Sequence, residues 1–412
     1  MATTPLAVLD LVPISSGSSA AAALRNSIDL AQTAERLGYA RYWFAEHHLN
    51  PGVAGTSPAV VLALTAAATT TIRIGSGAVQ MGHRTALATV EEFGLIDALH
   101  PGRLDLGLGR SGGRPPGGSG TGPGGIGGAA RGDGGREPSM LEGSPPESSG
   151  GPGGIAPPEG AATLSPKTVA ARNRLLIPPK FDLRRLLGSP RIAMQKGLLQ
   201  LPGAQSQDYG EQVGDVLALL RGTYRSPDGV PGRAVPGEYA QVQVWILGSS
   251  GGESAEAGGS NGLRFAANYH VSPATVLEAV DGYRAAFRPS ADLDRPYVSV
   301  SADVVVAEDE ETARELATGY GLWVRSIRSG AGAINFPTPQ EARQHTWTDA
   351  DRELVADRVD TQFVGSPSQV ADKLEQLRDA TEADELLVTT ITHDHADRVR
   401  SYQLLAEEWQ RR

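Results

Sequence analysis

A (β/α)8 barrel is the α/β fold that this 412-residue sequence predicts, and three observations predict it. Short apolar runs rich in strand formers alternate with stretches whose apolar residues recur at three- and four-residue steps. Eight strand runs can be counted, in units of about 30 residues, the length of one strand-helix repeat. Strands alternate with helices, so both faces of the sheet are covered and the strands must run parallel. Eight is the number that closes such a sheet into a TIM barrel. An open doubly wound sheet is the alternative that counting leaves standing.

Leu6 to Val12 forms the first strand. Leu24, Ile28, Ala31, Ala34 and Leu37 mark the inner face of the helix after it, which Gly38 ends. Tyr42 to Ala45 is the second strand. Ser57-Pro58 opens the next helix as a cap followed by a first-turn proline, and an alanine-rich run carries it to about Thr70. Ile72 to Val79, Arg103 to Gly109, Val242 to Leu247, Leu263 to His270, Tyr297 to Val306 and Leu386 to Ile391 follow as strands three to eight. Helices are expected at 85–99, around Val213 to Leu220, at 253–262, from Ser272-Pro273 through Phe287, and at 309–325. Thr338 and Ser366 head capping boxes, and Val399, Tyr402, Leu405 and Trp409 pattern the last helix.

The repeat breaks after strand four. Residues 111–172 are dominated by Gly, Pro, Ser and Glu for most of their length, too poor in apolar groups to offset the entropy of ordering them. They are expected to be a disordered insertion within a single domain spanning 1–412.

A formal net charge of −10 argues against a nucleic-acid or anionic-membrane partner, because binding by counterion release needs a basic face. The absence of cysteine excludes disulfides, thiolate metal sites and thiol nucleophiles. The opening MATTPLAVLDLVP has no basic n-region, and Asp10 and Pro13 interrupt its apolar run. No apolar run approaches the roughly 18 residues of a membrane span. A cytoplasmic protein is expected.

Chemistry concentrates where strands end. Arg41-Tyr-Trp-Phe-Ala-Glu46-His47-His48 puts an acid and two imidazoles at the lip of a buried strand, where each polar group must find a partner or face a solvated cavity. Its plainer reading is one histidine capping a turn and another on the surface. Gly107-Leu-Gly109-Arg110-Ser-Gly112 matches a dinucleotide fingerprint, but it runs into Pro-Pro-Gly-Gly coil where the fingerprint needs a helix. Arg110 is instead a candidate phosphate cation, or an exposed surface residue. Ser249, Ser250, Gly251 and Ser254, between a strand and a helix start, let backbone N–H groups converge on an anion, or form a flexible loop with a serine cap. Gly75 and Gly77 inside the third strand mark a bulge or a close approach of backbone to a flat ligand. His393-Asp394-His395 offers metal-ligand types, but the acids there are better placed to cap the terminal helix, and no metal site is expected.

Together, RYWFAEHH, IRIGSGAVQMGHR, PGRLDLGLGRSGG, VWILGSSGGESA, FAANYHVSP and VGSPSQVADKL resemble the bacterial luciferase-like family of flavin-dependent monooxygenases, and within it the small branch related to antibiotic-pathway oxygenases. The resemblance covers most of the chain. It implies a TIM barrel, commonly a homodimer, binding FMN at the carboxyl face of the strands, with deazaflavin in sister branches. It implies a reaction of reduced flavin with dioxygen through a peroxyflavin that oxidises a small organic substrate, with a separate flavin reductase supplying the reduced FMN. It places His47 near the flavin reaction centre with Glu46 and His48 beside it. It makes Arg110, Ser249, Ser250 and Gly251 the phosphate site, and Gly77 and Ala78 the bulge under the isoalloxazine, often through a non-prolyl cis peptide. His47, at a near-neutral pKa, would then shuttle a proton.

Overall fold

A computed structural model describes residues 4–110, 169–170, 173–182 and 189–412. Strands β1 (Leu6–Asp10), β2 (Arg41–Phe44), β3 (Arg73–Ser76), β4 (Leu104–Gly109), β5 (Gln243–Gly248), β6 (Arg264–Asn268), β7 (Val298–Val306) and β8 (Glu385–Thr389) pair in parallel in that order. β8 then pairs with β1, Leu6 opposite Leu386 and Val8 opposite Val388, so the sheet closes. The barrel is formed and the open sheet is excluded.

Helices α1 (Ala20–Arg36), α2 (Pro58–Ala68), α3 (Ala86–Leu99), α5 (Tyr209–Leu220), α6 (Glu253–Ser260), α7 (Val276–Ala286), α12 (Pro367–Thr381) and α13 (His395–Trp409) each follow a barrel strand and cover it, with α4 (Pro190–Leu199) ahead of α5. Successive strand residues face opposite ways, which splits the core in two. Val8, Tyr42, Phe44, Ile74, Leu106 and Val300 lie outside the sheet beneath the helices. Ala7, Leu9, Trp43, Trp245, Ala266 and Leu387 fill its interior.

The barrel's amino end is closed by charge. Arg41 donates through Nη1 to Asp105 at 2.7 Å and through Nε to Glu385 at 3.0 Å, all three buried, while its guanidinium lies 4.8 Å from the centroid of the Trp245 ring. The carboxyl end is roofed by the excursion between β7 and β8, comprising α8 (Glu310–Ala317), α9 (Gly319–Arg328), α10 (Pro339–Gln344) and α11 (Asp349–Asp360). Tyr320, Trp323 and Val324 of α9, Phe336, and Val355 of α11 pack with Leu9, Leu11, Val53, Leu387 and Ile391. Phe336 also exchanges backbone hydrogen bonds with Ile14 and Ser16, pinning the roof to the loop after β1.

Some expectations shift. The helix expected at 309–325 is two abutting segments meeting at Thr318, where Gly319 lets Phe336 and Pro337 approach so closely that a side chain there would collide. α4 and α11 were not expected. α11 has no apolar stripe, and its signal is only the capping box of Thr348 and Asp351. Both expected capping boxes, at Thr338 and Ser366, are formed. Most of the expected disordered insertion at 111–172 lies outside the described residues. Among the described residues no helix is long and apolar enough to cross a membrane.

Candidate active site at the carboxyl mouth of the barrel

β2 ends at Phe44, and the three titratable residues that follow separate by function. The backbone N–H of His47 donates to the Gly55 carbonyl at 2.7 Å, fixing the main chain after β2, and its Nδ1 is buried without a partner. Burial first, then the neighbouring His48, push the imidazole down to about 4, against the opposing pull of Glu46. This corrects the near-neutral pKa expected from the sequence: at pH 7 the ring is neutral, and desolvation keeps it so.

Glu46 turns the other way. Its Oε1 accepts from His48 Nε2 at 2.8 Å, from His83 Nε2 at 3.1 Å and from Arg84 Nε at 3.3 Å, and its Oε2 accepts from the Gln80 N–H at 2.9 Å. Burial alone would raise this carboxyl. The hydrogen bonds from His48, His83 and Gln80, with the charge of Arg84, outweigh burial and hold it at about 2. Glu46, His48 and His83 present one ligand atom each within 4.8 Å, the residue types of a divalent cation site. Arg84 already occupies the carboxylate as its cation, so the cluster is satisfied as a hydrogen-bonded brace between the loops after β2 and β3. His83 was missed in the sequence because it lies 37 residues after Glu46. His393 and His395 bind separately, to the backbone oxygen of Ser16 at 3.1 Å and to Asp29 at 2.8 Å.

The glycines of β3 and β4 have unlike reasons. A side chain on Gly75 would strike Asp105 at 2.5 Å and Trp43 at 2.8 Å, and one on Gly107 would strike the Ser76 carbonyl at 2.0 Å. Both are therefore demanded by contact between strands, which corrects the ligand reading for Gly75 and leaves Gly107 no role in a fingerprint. At Gly77 a Cβ would meet only side-chain atoms, the end of Leu9 at 2.8 Å and the Trp43 ring at 3.3 Å, inside the barrel. The Gly77–Ala78 peptide bond is cis.

Arg110, at the end of β4, and the loop after β5 are brought together. Arg110 Nη1 donates to Glu253 Oε2 at 2.7 Å, and Glu253 is the first residue of α6. Ser249, Ser250, Gly251 and Gly252 lead into that helix. Its cap residue Gly252 makes no side-chain capping bond, Ser254 lies within its first turn, and the Gly251 N–H just before it donates to Glu278 Oε1 at 3.3 Å.

The far wall of the mouth carries polar groups that the sequence analysis did not single out. His270 Nδ1 lies 2.6 Å from Ser301 Oγ. Burial first, then Arg358 and His47, push His270 down to about 3. Asp303 accepts from the Tyr320 hydroxyl and from Arg358 Nη2 at 3.3 Å; burial raises its carboxyl despite the opposing Arg358 charge. His270 could have been found from FAANYH, where it follows the carboxyl end of β6 by two residues. Arg358 could not, since nothing local marks α11 as a roof.

The model of the luciferase-like monooxygenase family matches residues 4–122 and 214–383. The uncharacterized protein YvbT of Bacillus subtilis is 32% identical over 412 residues, covering 99% of this chain and 98% of its own. The crystal structure of apo-MsnO8 aligns with a TM-score of 0.71 at 27% identity, covering 99% of this chain and 98% of that one. At 16% identity and a TM-score of 0.58, over 99% and 97% of the two chains, the same fold is shared by a type II Baeyer-Villiger monooxygenase. That protein is the oxygenating constituent of 3,6-diketocamphane monooxygenase from Pseudomonas putida, solved in complex with FMN. The closed barrel, its site at the carboxyl mouth and these likenesses converge, and the chain belongs to the luciferase-like monooxygenase family, as an oxidoreductase built on a TIM barrel.

Proposed function

We propose that the protein is an FMN-dependent monooxygenase that uses reduced FMN and dioxygen to oxidise a small organic substrate. The observation that carries the reading is a neutral, buried imidazole, His47, at the mouth of a barrel that also presents an anion-ready helix start beside a cation. The residues fit the cofactor. The N–H groups at the start of α6, the hydroxyls of Ser249, Ser250 and Ser254, small Gly251 and the guanidinium of Arg110 suit a phosphate, which would displace Glu253 from Arg110 and Glu278 from the Gly251 N–H. Gly77 and Ala78 would lie under the ring system. Bound reduced flavin would supply the electrons for oxygen chemistry. The apolar roof of Tyr320, Trp323 and Phe336 would keep water from it. His47 would accept and return a proton at a ring nitrogen, and Glu46 with His48 would hold the loop that places it.

A spectrum of the purified protein titrated with reduced FMN under dioxygen tests this reading. Perturbed flavin absorbance with changed reoxidation kinetics supports it. A copurifying deazaflavin, or flavin binding without oxygen consumption on any substrate, would replace it with a hydride transferase or a binding module. The site assignment makes a sharper prediction: Arg110→Ala and Ser250→Ala each weaken FMN roughly tenfold or more and leave phosphate-free riboflavin nearly unchanged, because charge-assisted bonds to phosphate are lost. Equal weakening of both ligands would remove the phosphate assignment.

The reading also includes a separate flavin reductase, a cytoplasmic location and a homodimer. Val60 and Leu64 on α2, with Leu87, Leu95 and Leu99 on the adjoining α3, are exposed, which supports a second copy packing there. Sedimentation should show a dimer, and Leu95→Glu with Leu99→Glu should shift it to monomer. A wild-type monomer at assay concentration would refute it.

A further inference from the structure

The wall of the mouth opposite His47 is polar in a way the reaction so far leaves unused. Ser301 pairs with Asn268 of β6 and Asp303 with Thr389 of β8 in the parallel register. Two-residue alternation puts Asn268 on the inward face with Ala266 and Thr389 inward with Leu387, while His270, in the turn after β6, is held beside Ser301 through Nδ1. Thr389 is 1% exposed and its Oγ1 has no partner; Asn268 Oδ1 is likewise buried and unpartnered, and the amide turned over about its Cβ–Cγ bond would present its N–H groups there as donors instead. A buried hydroxyl left bare costs stability unless something else completes it.

We propose that Asn268, His270 and Thr389 form a subsite for the carboxylate of the substrate, with Arg358 as the cation behind it. The name substrate rests on the monooxygenase reading; the subsite rests on the wall itself. Thr389 O–H, the Asn268 amide and His270 Nε2–H would donate to the two oxygens. The groups that act on His270 are Ser301 of β7, which shares its Nδ1, Arg358 from α11 and His47 from the loop after β2; Arg358 is in turn held by Asp303 of β7 and Tyr320 of α9. Asp303 is occupied by the Tyr320 hydroxyl and Arg358, and the two charges that act on His270, Arg358 and His47, both disfavour its protonation. The ring therefore stays neutral, with Nδ1 beside the Ser301 hydroxyl and Nε2–H left to donate. The apolar remainder of the molecule would meet Leu9, Leu11, Ile391 and Trp323.

Phenylacetate and its neutral counterpart phenylacetamide serve as probes, followed by tryptophan fluorescence and by the imidazole resonances of His270. Phenylacetate should bind roughly ten- to a hundredfold tighter than the amide at pH 6, the range for a charge-assisted pair. That preference should hold from pH 6 to pH 8, because the donors are neutral throughout, and the His270 Nε2–H resonance should shift on binding. His270→Phe, which removes the Nε2–H donor, and Thr389→Val, close in shape to the native residue, should each cut the preference several-fold. Equal binding of both probes, or no binding of either at the solubility limit, overturns the subsite. FMN binding, read separately by flavin absorbance, tells the cases apart: normal FMN binding with no carboxylate preference removes the subsite alone. Absent FMN binding with the preference intact removes the flavin reading alone.

Discussion

His47→Ala is expected to cut product formed per reduced FMN consumed by roughly 10² to 10⁴, the span of a positioned acid or base, with a matching rise in peroxide release. Folding and FMN affinity should stay near wild type, because the buried Nδ1 makes no hydrogen bond that alanine would break. The direction follows from the ring's protonation state. Burial and His48 hold its pKa at about 4, so at pH 7 it offers a lone pair to a reacting group and becomes an acid only after taking that proton. The plateau of activity should therefore extend down through pH 6 and fall as pH approaches 4. His48→Ala is the control: it removes one of four donors to Glu46, and the brace retains His83, Arg84 and Gln80. His47→Gln guards against a folding artefact, since it keeps polarity and volume without a transferable proton. Unchanged coupling of flavin to product in both His47 variants would make the residue structural.

The legibility of this molecule follows the range of the forces involved. All eight barrel strands stood in the sequence because each is a local apolar run bounded by turn chemistry, and closure followed from number and alternation. EHH was visible because strand end and chemistry are adjacent in sequence. What stayed hidden was made by contacts between distant strands. The role of Gly75 depends on Asp105 and Trp43 pressing against it, and His83 matters because the loop after β3 folds back on Glu46. The depressed pKa of His47 comes first from burial, which nothing local to EHH announces, and only second from the neighbouring His48. α11 escaped because its helix is held by a capping box and by Arg358 reaching Tyr320 and Asp303, with little apolar periodicity to announce it.

At the other end of the barrel, Arg41→Ala should cost about 3 to 5 kcal/mol of folding stability, the usual consequence of removing one partner from a buried ion cluster. The loss falls unevenly on the two carboxylates. Asp105 keeps Arg73, which donates through Nε at 2.9 Å and Nη2 at 2.7 Å, and keeps the Trp43 indole N–H at 2.9 Å. Glu385 keeps only the Tyr297 hydroxyl at 3.2 Å among its described hydrogen-bond partners, and it is fully buried. Burial already pushes the Glu385 carboxyl up, and Arg41 is the main charge opposing that rise. Without Arg41 its folded pKa climbs further above the unfolded value, so the folded state holds a proton that the unfolded state has released. Stability tied to that proton is present at low pH and lost as pH rises through the folded pKa. The deficit of Arg41→Ala, measured from denaturant midpoints, should therefore be larger at pH 8 than at pH 5. Adding Glu385→Leu should restore much of the loss, since the double variant leaves no uncompensated carboxylate at that position. A deficit independent of pH, or a double variant no more stable than the single one, would mean that the cost comes from the stacking of the Arg41 guanidinium on Trp245 and that the ion cluster contributes little. FMN affinity per folded molecule should be untouched in either case, because the cluster sits at the amino ends of β2 and β8, a full strand length below His47.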